Sequence, residues 1–343
     1  MDRKKALVVG IDNYPGQELH DCVNDARMVA QLFARHGDGE PNFDVELITA
    51  PLPKPDGSTP DPEDPETETS PKGGITKDLL RDRIKALFDG DSEIALLYFS
   101  GHGCLTSVGG TLIATDVKKA EDGLEMNDVL TWANKSQAEE KVIILDCCHS
   151  GAFGSSNNDS KVCEISEGMV VLTAALPSQQ AMESKGMGHG VFTSLLAEGL
   201  SGAAADLLGQ VTPGAIYHYV DQALGAWEQR PIFKSNVTGW TPLRKVPPGP
   251  DSPAIARDLL HKIVKYFPDL EQEYKLTPEY VATAPGSDPA KVAIMKDLQA
   301  YAGVDLVVPV GEEHLYWAAM NSKSCRLTLF GKRYWRLVKH NRV

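Results

Sequence analysis

Cysteine is scarce, basic residues are outnumbered, and no apolar run approaches the length of a membrane span. The six cysteines among 343 residues are Cys22, Cys104, Cys147, Cys148, Cys163 and Cys325. That density excludes a disulfide framework and leaves each of them a reduced thiol able to serve as a thiolate. Lys and Arg number 34 against 47 Asp and Glu, a net charge of −13. Such a surface does not coat nucleic acid or an anionic membrane, although it is compatible with a local basic patch. Between Met1-Asp2-Arg3-Lys4-Lys5 and the first turn, the apolar stretch Ala6 to Ile11 is far shorter than a signal-peptide core or a membrane helix. A cytoplasmic location is expected.

What is present is an ordinary globular composition, 42% apolar and 24% charged, at a length that suggests two domains. Short continuous apolar runs at Lys5–Ile11, Ile94–Phe99, Lys141–Leu145 and Met169–Ala175, with Asp44–Thr49, read as buried strands. Between them lie helical spacings: Asp21 to His36 with Asp21 as cap, Thr76 to Phe88 with Thr76 as cap, Asn127 to Asn134, and Phe192 to Leu200. Alternation of this kind predicts an α/β domain over residues 1–246, built on a mostly parallel sheet covered on both faces. Residues 50–74 contain seven prolines and little that is apolar, which predicts a flexible acidic surface insertion.

Three polar clusters fall at strand ends, around Asp12, His102 and Cys148, where open α/β sheets bind ligands. A thiolate attacks a carbonyl carbon well when an imidazole takes its proton, and the same imidazole can later protonate a leaving amine. Cys148 and His102 form such a pair if their strands are neighbours, with the amides of Gly103 and Cys148 as an oxyanion hole. A cysteine or histidine taken alone is more often a packed side chain; the glycine-flanked strand-end placement of both favours the hydrolase reading. Zinc at Cys147-Cys148-His149 is disfavoured, since three consecutive residues do not readily face one ion.

Ala6-Leu-Val-Val-Gly-Ile-Asp-Asn-Tyr14, Leu19-His-Asp-Cys-Val-Asn-Asp-Ala26, Tyr98-Phe-Ser-Gly-His-Gly103, Asp146-Cys-Cys-His-Ser-Gly151 and Gly188-His-Gly-Val-Phe-Thr193 carry a resemblance. Together they are similar to the metacaspase and prokaryotic caspase-like branch of the caspase clan of cysteine peptidases, over roughly residues 1–245. The resemblance implies the caspase-haemoglobinase fold, with His102 as base and Cys148, rather than its neighbour Cys147, as nucleophile. It implies a P1 pocket lined by Asp25 and Asp146, with Glu183 as a further acid, and places Ser100 and Cys22 behind the site. Two confined carboxylates suit a guanidinium or ammonium, so cleavage after Arg or Lys is expected. Leu19 stands where animal caspases, which cut after Asp, have an arginine.

No cofactor is expected. Calcium activates several metacaspases, but at the family's acidic positions residue 155 is Ser, and Asp116 and Asp122 are loose candidates. Lys161, in a loop rich in glycine, serine and asparagine, is a candidate for self-cleavage. Residues 247–253 read as a linker, and residues 254–343 as a small α+β module resembling a winged helix. From Ser322 to Val343 there are seven basic residues and no acid, a docking face for a protein partner rather than for nucleic acid given the overall charge. Two functions follow: a caspase-like endopeptidase in regulated defence or cell-death proteolysis, or a catalytically silent scaffold acting through residues 250–343.

Overall fold

In the computed structural model the described residues are 4–54, 58, 68–106, 109–147, 165–174, 189–224, 231–239, 241–249 and 254–343. They fall into two compact units, Met1–Ala205 with Gln210–Val246, and Asp206–Gly209 with Pro247–Val343.

The first unit opens with β1 (Lys4–Ile11), α1 (Cys22–Ala34), β2 (Asp44–Ala50), β3 (Glu68–Thr69), α2 (Lys77–Phe88) and β4 (Ile94–Ser100). Three short strands follow, β5 (Gly103–Thr106), β6 (Gly109–Leu112) and β7 (Leu124–Glu125), then α3 (Met126–Lys135), β8 (Glu140–Asp146) and β9 (Met169–Thr173). The unit closes with α4 (Val191–Glu198), β10 (Gln210–Val211), α5 (Pro213–Ala223), β11 (Ile232–Asn236) and β12 (Arg244–Lys245). Seven strands make one sheet in the order β11-β9-β8-β4-β1-β2-β3. Every neighbouring pair in it is parallel except β11 with β9.

The central strands are apolar throughout because both faces are covered. Leu7, Val9, Leu97, Phe99, Ile143 and Leu145 pack with Leu80 and Ile84 of α2 and Val129 of α3. Val8, Leu96, Tyr98, Val142 and Ile144 pack with Val29 and Phe33 of α1, Leu196 of α4 and Ile216 of α5. Register aligns three strand ends: Gly10 of β1 pairs with Ser100 of β4, which pairs with Asp146 of β8. The chain turns off the sheet after each of them, so the segments that follow share one edge.

Two local expectations need correction. Asp21 occupies the N-cap position of α1 but makes no capping bond. The cap comes from the end of β1, where Asp12 Oδ1 accepts from the amides of Cys22 at 2.9 Å and Val23 at 3.4 Å. A buried strand-end carboxyl satisfies the orphan amides, so a cap from Asp21 is not needed. The insertion, for its part, is anchored at its far end, since β3 adds a sheet edge and Glu68 is buried. The Arg27 guanidinium and the Thr49 hydroxyl hold that carboxylate, at 2.9 Å and 2.7 Å, which makes burial of an acid tolerable. Thr76 caps α2 as expected.

The second unit contains α6 (Arg257–His261), α7 (Ile263–Tyr266), β13 (Tyr274–Lys275), α8 (Pro289–Gly303), β14 (Val307–Val310), α9 (Leu315–Met320), β15 (Ser324–Leu327) and α10 (Leu329–Lys339). Its antiparallel sheet runs β13-β15-β14, over a core that includes Leu260, Phe267, Leu298, Tyr301 and Cys325. No helix of the described residues is long and apolar enough to cross a membrane.

Helix α1 lies hard against β1 at Gly10, where a Cβ would fall 2.5 Å from the Cys22 carbonyl oxygen and 2.6 Å from Ala26 Cβ. Gly10→Ala is expected to destabilise the folded state by about 1–3 kcal/mol through overpacking, read as a lower midpoint in chemical denaturation.

Candidate active site

The site grows from the shared sheet edge. Past β4, Gly101 is required because a Cβ there would overlap the Tyr14 hydroxyl. That hydroxyl accepts from the His102 amide at 3.0 Å and donates to the Ile113 carbonyl at 3.1 Å. The Tyr14 ring lies 4.5 Å from the His102 ring, centroid to centroid. Tyr14, buried in the turn after β1, thus fixes backbone and ring of His102 together, and burial holds its phenol well above its ordinary titration range.

His102 Nε2 stands 2.8 Å from the Gln17 carbonyl oxygen. A carbonyl only accepts, so the Nε2 proton is fixed there and Nδ1 carries the free lone pair. Ile113 N–H donates to the His102 carbonyl, which makes the facing residues Gly103 and Leu112 a non-hydrogen-bonded pair of the β5–β6 ladder. The Gly103 amide is therefore not spent on that ladder.

Two carboxyls lie beside this turn. Asp146 ends β8, and its Oδ2 accepts from the Thr193 hydroxyl at 2.6 Å. That hydroxyl sits 2.6 Å from the Tyr98 hydroxyl; having donated to the carboxylate, it accepts from the tyrosine. Asp25, in the first turn of α1, accepts from the Gly190 amide on both oxygens and faces His189 Nδ1 at 2.9 Å. Both carboxyls converge at Gly190, whose Cβ, if present, would lie 3.2 Å from an oxygen of each. Both also meet the first turn of α4, where free amides and the helix dipole favour negative charge. Burial pushes Asp146 up to about 6, and burial with the Asp146 charge pushes Asp25 up to about 9. Two buried acids so close do not ionise together readily, so desolvation and mutual repulsion favour a proton on the pair.

Behind the carboxyls, buried Cys22 hydrogen-bonds Ser100, and burial raises its thiol well above the ordinary range. Cys147 is 1% exposed and packed in the core. Cys148, Glu183 and Lys161 lie outside the described residues. Asp116 is not brought to the site; its Oδ1 accepts from the Lys77 amide at the start of α2. Asp122 is exposed in a short 3-10 helix, and no cluster of three potential metal ligands occurs among the described residues. Tyr14, Gln17, Thr193 and His189 had no role assigned from sequence. Gln17 acts through its backbone and leaves no side-chain signal, whereas the other three lie within the quoted motif segments.

The family model describing the caspase domain of C14 peptidases matches residues 3–239. The chain belongs to the caspase-domain peptidase family. A crystal structure of caspase-1 from Spodoptera frugiperda aligns with this chain at a TM-score of 0.48 and 12% identity, covering 72% of this chain and 92% of that one. A comparison with curated proteins returned no match. The family match ends before Pro247, where the larger part of the second unit begins.

Tyr14→Phe removes an acceptor from the His102 amide and a donor from the Ile113 carbonyl, both partly buried. A stability loss of about 1–3 kcal/mol is expected, measured by denaturant titration, with faster amide hydrogen exchange at His102.

Proposed function

We propose that this caspase-domain chain is a cysteine endopeptidase that cuts after Arg or Lys, with Cys148 as nucleophile and His102 as base. The observation that carries this reading is the pairing of Ser100 with Asp146. His102 and Cys148 each follow one of those residues by two positions, on strands about 5 Å apart. Cys147 is closed to substrate by burial, which leaves Cys148 as the reacting thiol of the pair. With its Nε2 proton held by the Gln17 carbonyl, His102 takes the thiol proton on Nδ1.

The thiolate then adds to the scissile carbonyl carbon, forming a C–S bond, while the Gly103 and Cys148 amides receive the oxyanion. Collapse expels the amine with the proton from Nδ1. Water, deprotonated by the same imidazole, hydrolyses the thioester and frees the sulfur. Asp25 and Asp146 supply the negative charge that a P1 guanidinium or ammonium neutralises, with Glu183 as a third acid. Lys161 is the proposed self-cleavage point. The basic 322–343 segment is read as the contact for a protein partner, in a cytoplasmic setting of defence or cell-death proteolysis.

Peptides ending in Arg or Lys are expected to be hydrolysed by the wild type and by Cys147→Ala, and not by Cys148→Ala. Preference for Asp-ended peptides would defeat the pocket, and no turnover of any would favour the scaffold role. Because only the ionised Asp146 binds a cation, KM for an Arg-ended peptide is expected to rise as pH falls through 6, by up to about tenfold per pH unit. Asp146→Asn is expected to raise KM at pH 7 and to abolish that acid limb.

A further inference from the structure

His189 is the one basic side chain bonded to either pocket carboxyl among the described residues. Asp25 is 2% exposed, whereas the imaginary line from its Oδ1 runs 2.9 Å to a ring nitrogen whose side chain is 33% exposed. A proton on that bond has two resting places, the carboxyl oxygen and Nδ1. We propose that His189 is a positioning residue for P1 recognition, taking up the Asp25 proton when a substrate cation enters so that both pocket carboxylates face that cation ionised. The inference rests on the basic-P1 reading above and assigns its electrostatic partner.

The step balances. The proton leaves Asp25 Oδ1 and binds His189 Nδ1, whose ring already carries the Nε2 proton, and the pair goes from neutral carboxyl and imidazole to carboxylate and imidazolium. The pocket gains the substrate's single positive charge and sheds no proton to water. Without His189 the same ionisation must expel the Asp25 proton to bulk, against the neighbouring charge of Asp146 and the lack of solvent. Among the described residues, the groups facing Asp25 besides His189 are acids or weak acids, Asp12 after β1, Asp21 and Cys22 at α1, Tyr98 on β4 and Asp146 on β8, with the Gly190 amide from the turn before α4. None of these can accept a proton and become cationic. Asp146 is steadied differently, by the Thr193 hydroxyl, which also cannot do so. The two acids are therefore not equivalent, and among the described residues Asp25 has a built-in proton acceptor that Asp146 lacks.

The test uses the full chain and a fluorogenic Arg-ended peptide between pH 6.5 and 8.5. Wild-type KM is expected to stay nearly flat. His189→Gln keeps a hydrogen-bonding amide but accepts no proton; its KM at pH 7 is expected to be at least about tenfold higher and to fall toward the wild-type value as pH rises, with kcat little changed. In an Asp25→Asn background the same substitution is expected to add nothing further to KM, because the proton it handles is gone. His189→Asn, which also keeps a hydrogen-bonding amide and accepts no proton, is expected to raise KM at pH 7 in the same way, and this variant decides the matter if the glutamine variant does not fold. A flat His189→Gln profile at wild-type KM, or additive losses in the Asp25→Asn background, would overturn the role of His189 alone. Failure of the wild type to cleave Arg-ended or Lys-ended peptides would remove the pocket reading itself.

Discussion

The register of three adjacent parallel strands determines the rest of the molecule's chemistry. Gly10, Ser100 and Asp146 stand in one row, and parallel pairing fixes that row because a one-residue slip would turn every buried side chain to the wrong face. Both faces of the sheet are filled, by Ile84 and Val129 on one side and by Phe33 and Leu196 on the other, so the penalty for slipping is paid twice. Each chain segment that leaves the row then has a defined neighbour. Asp12 reaches the start of α1, Tyr14 reaches His102, and Asp146 reaches Thr193. The chemistry sits on turns, while its geometry comes from the rigid strands beneath them.

A second constraint is electrostatic. Asp25 and Asp146 are buried together against the first turn of α4, an arrangement that costs free energy because desolvation and mutual repulsion both oppose ionisation. Amides of α4 and the Thr193 hydroxyl offset part of that cost. The remainder is what a cation of suitable shape would relieve, which is the physical basis of the proposed selectivity for basic groups. In the proposed reading, the two side chains that meet the start of α4 are also the ones that recognise substrate, so removing either carboxyl would affect both.

Much of this architecture was legible in the sequence. Continuous runs such as Ile94–Phe99 and Lys141–Leu145 announce strands buried on both faces, and the glycines beside His102 mark a close approach that the Tyr14 hydroxyl now explains. The motif segments carried the family. What escaped was long-range: that Asp12 rather than Asp21 caps α1, that Glu68 is held by Arg27 from another element, and that His189 faces Asp25. Local patterns report a residue's own element, whereas these partners meet only after the sheet has formed. In the second unit the α+β character was legible, but α10, which opens on exposed Leu329 and Phe330, was not assigned from sequence.

The account requires that sulfur at position 148 and imidazole at position 102 work as one unit beside the acidic pocket. The most direct measurement is covalent labelling of the full chain with an Arg-ended peptidyl acyloxymethyl ketone, with the modified residue located by tandem mass spectrometry. A single adduct on Cys148, formed rapidly by the wild type and at least about a hundredfold more slowly by His102→Ala, is the predicted result. An adduct on Cys147 or Cys104, or equal labelling of the His102→Ala chain, would contradict it.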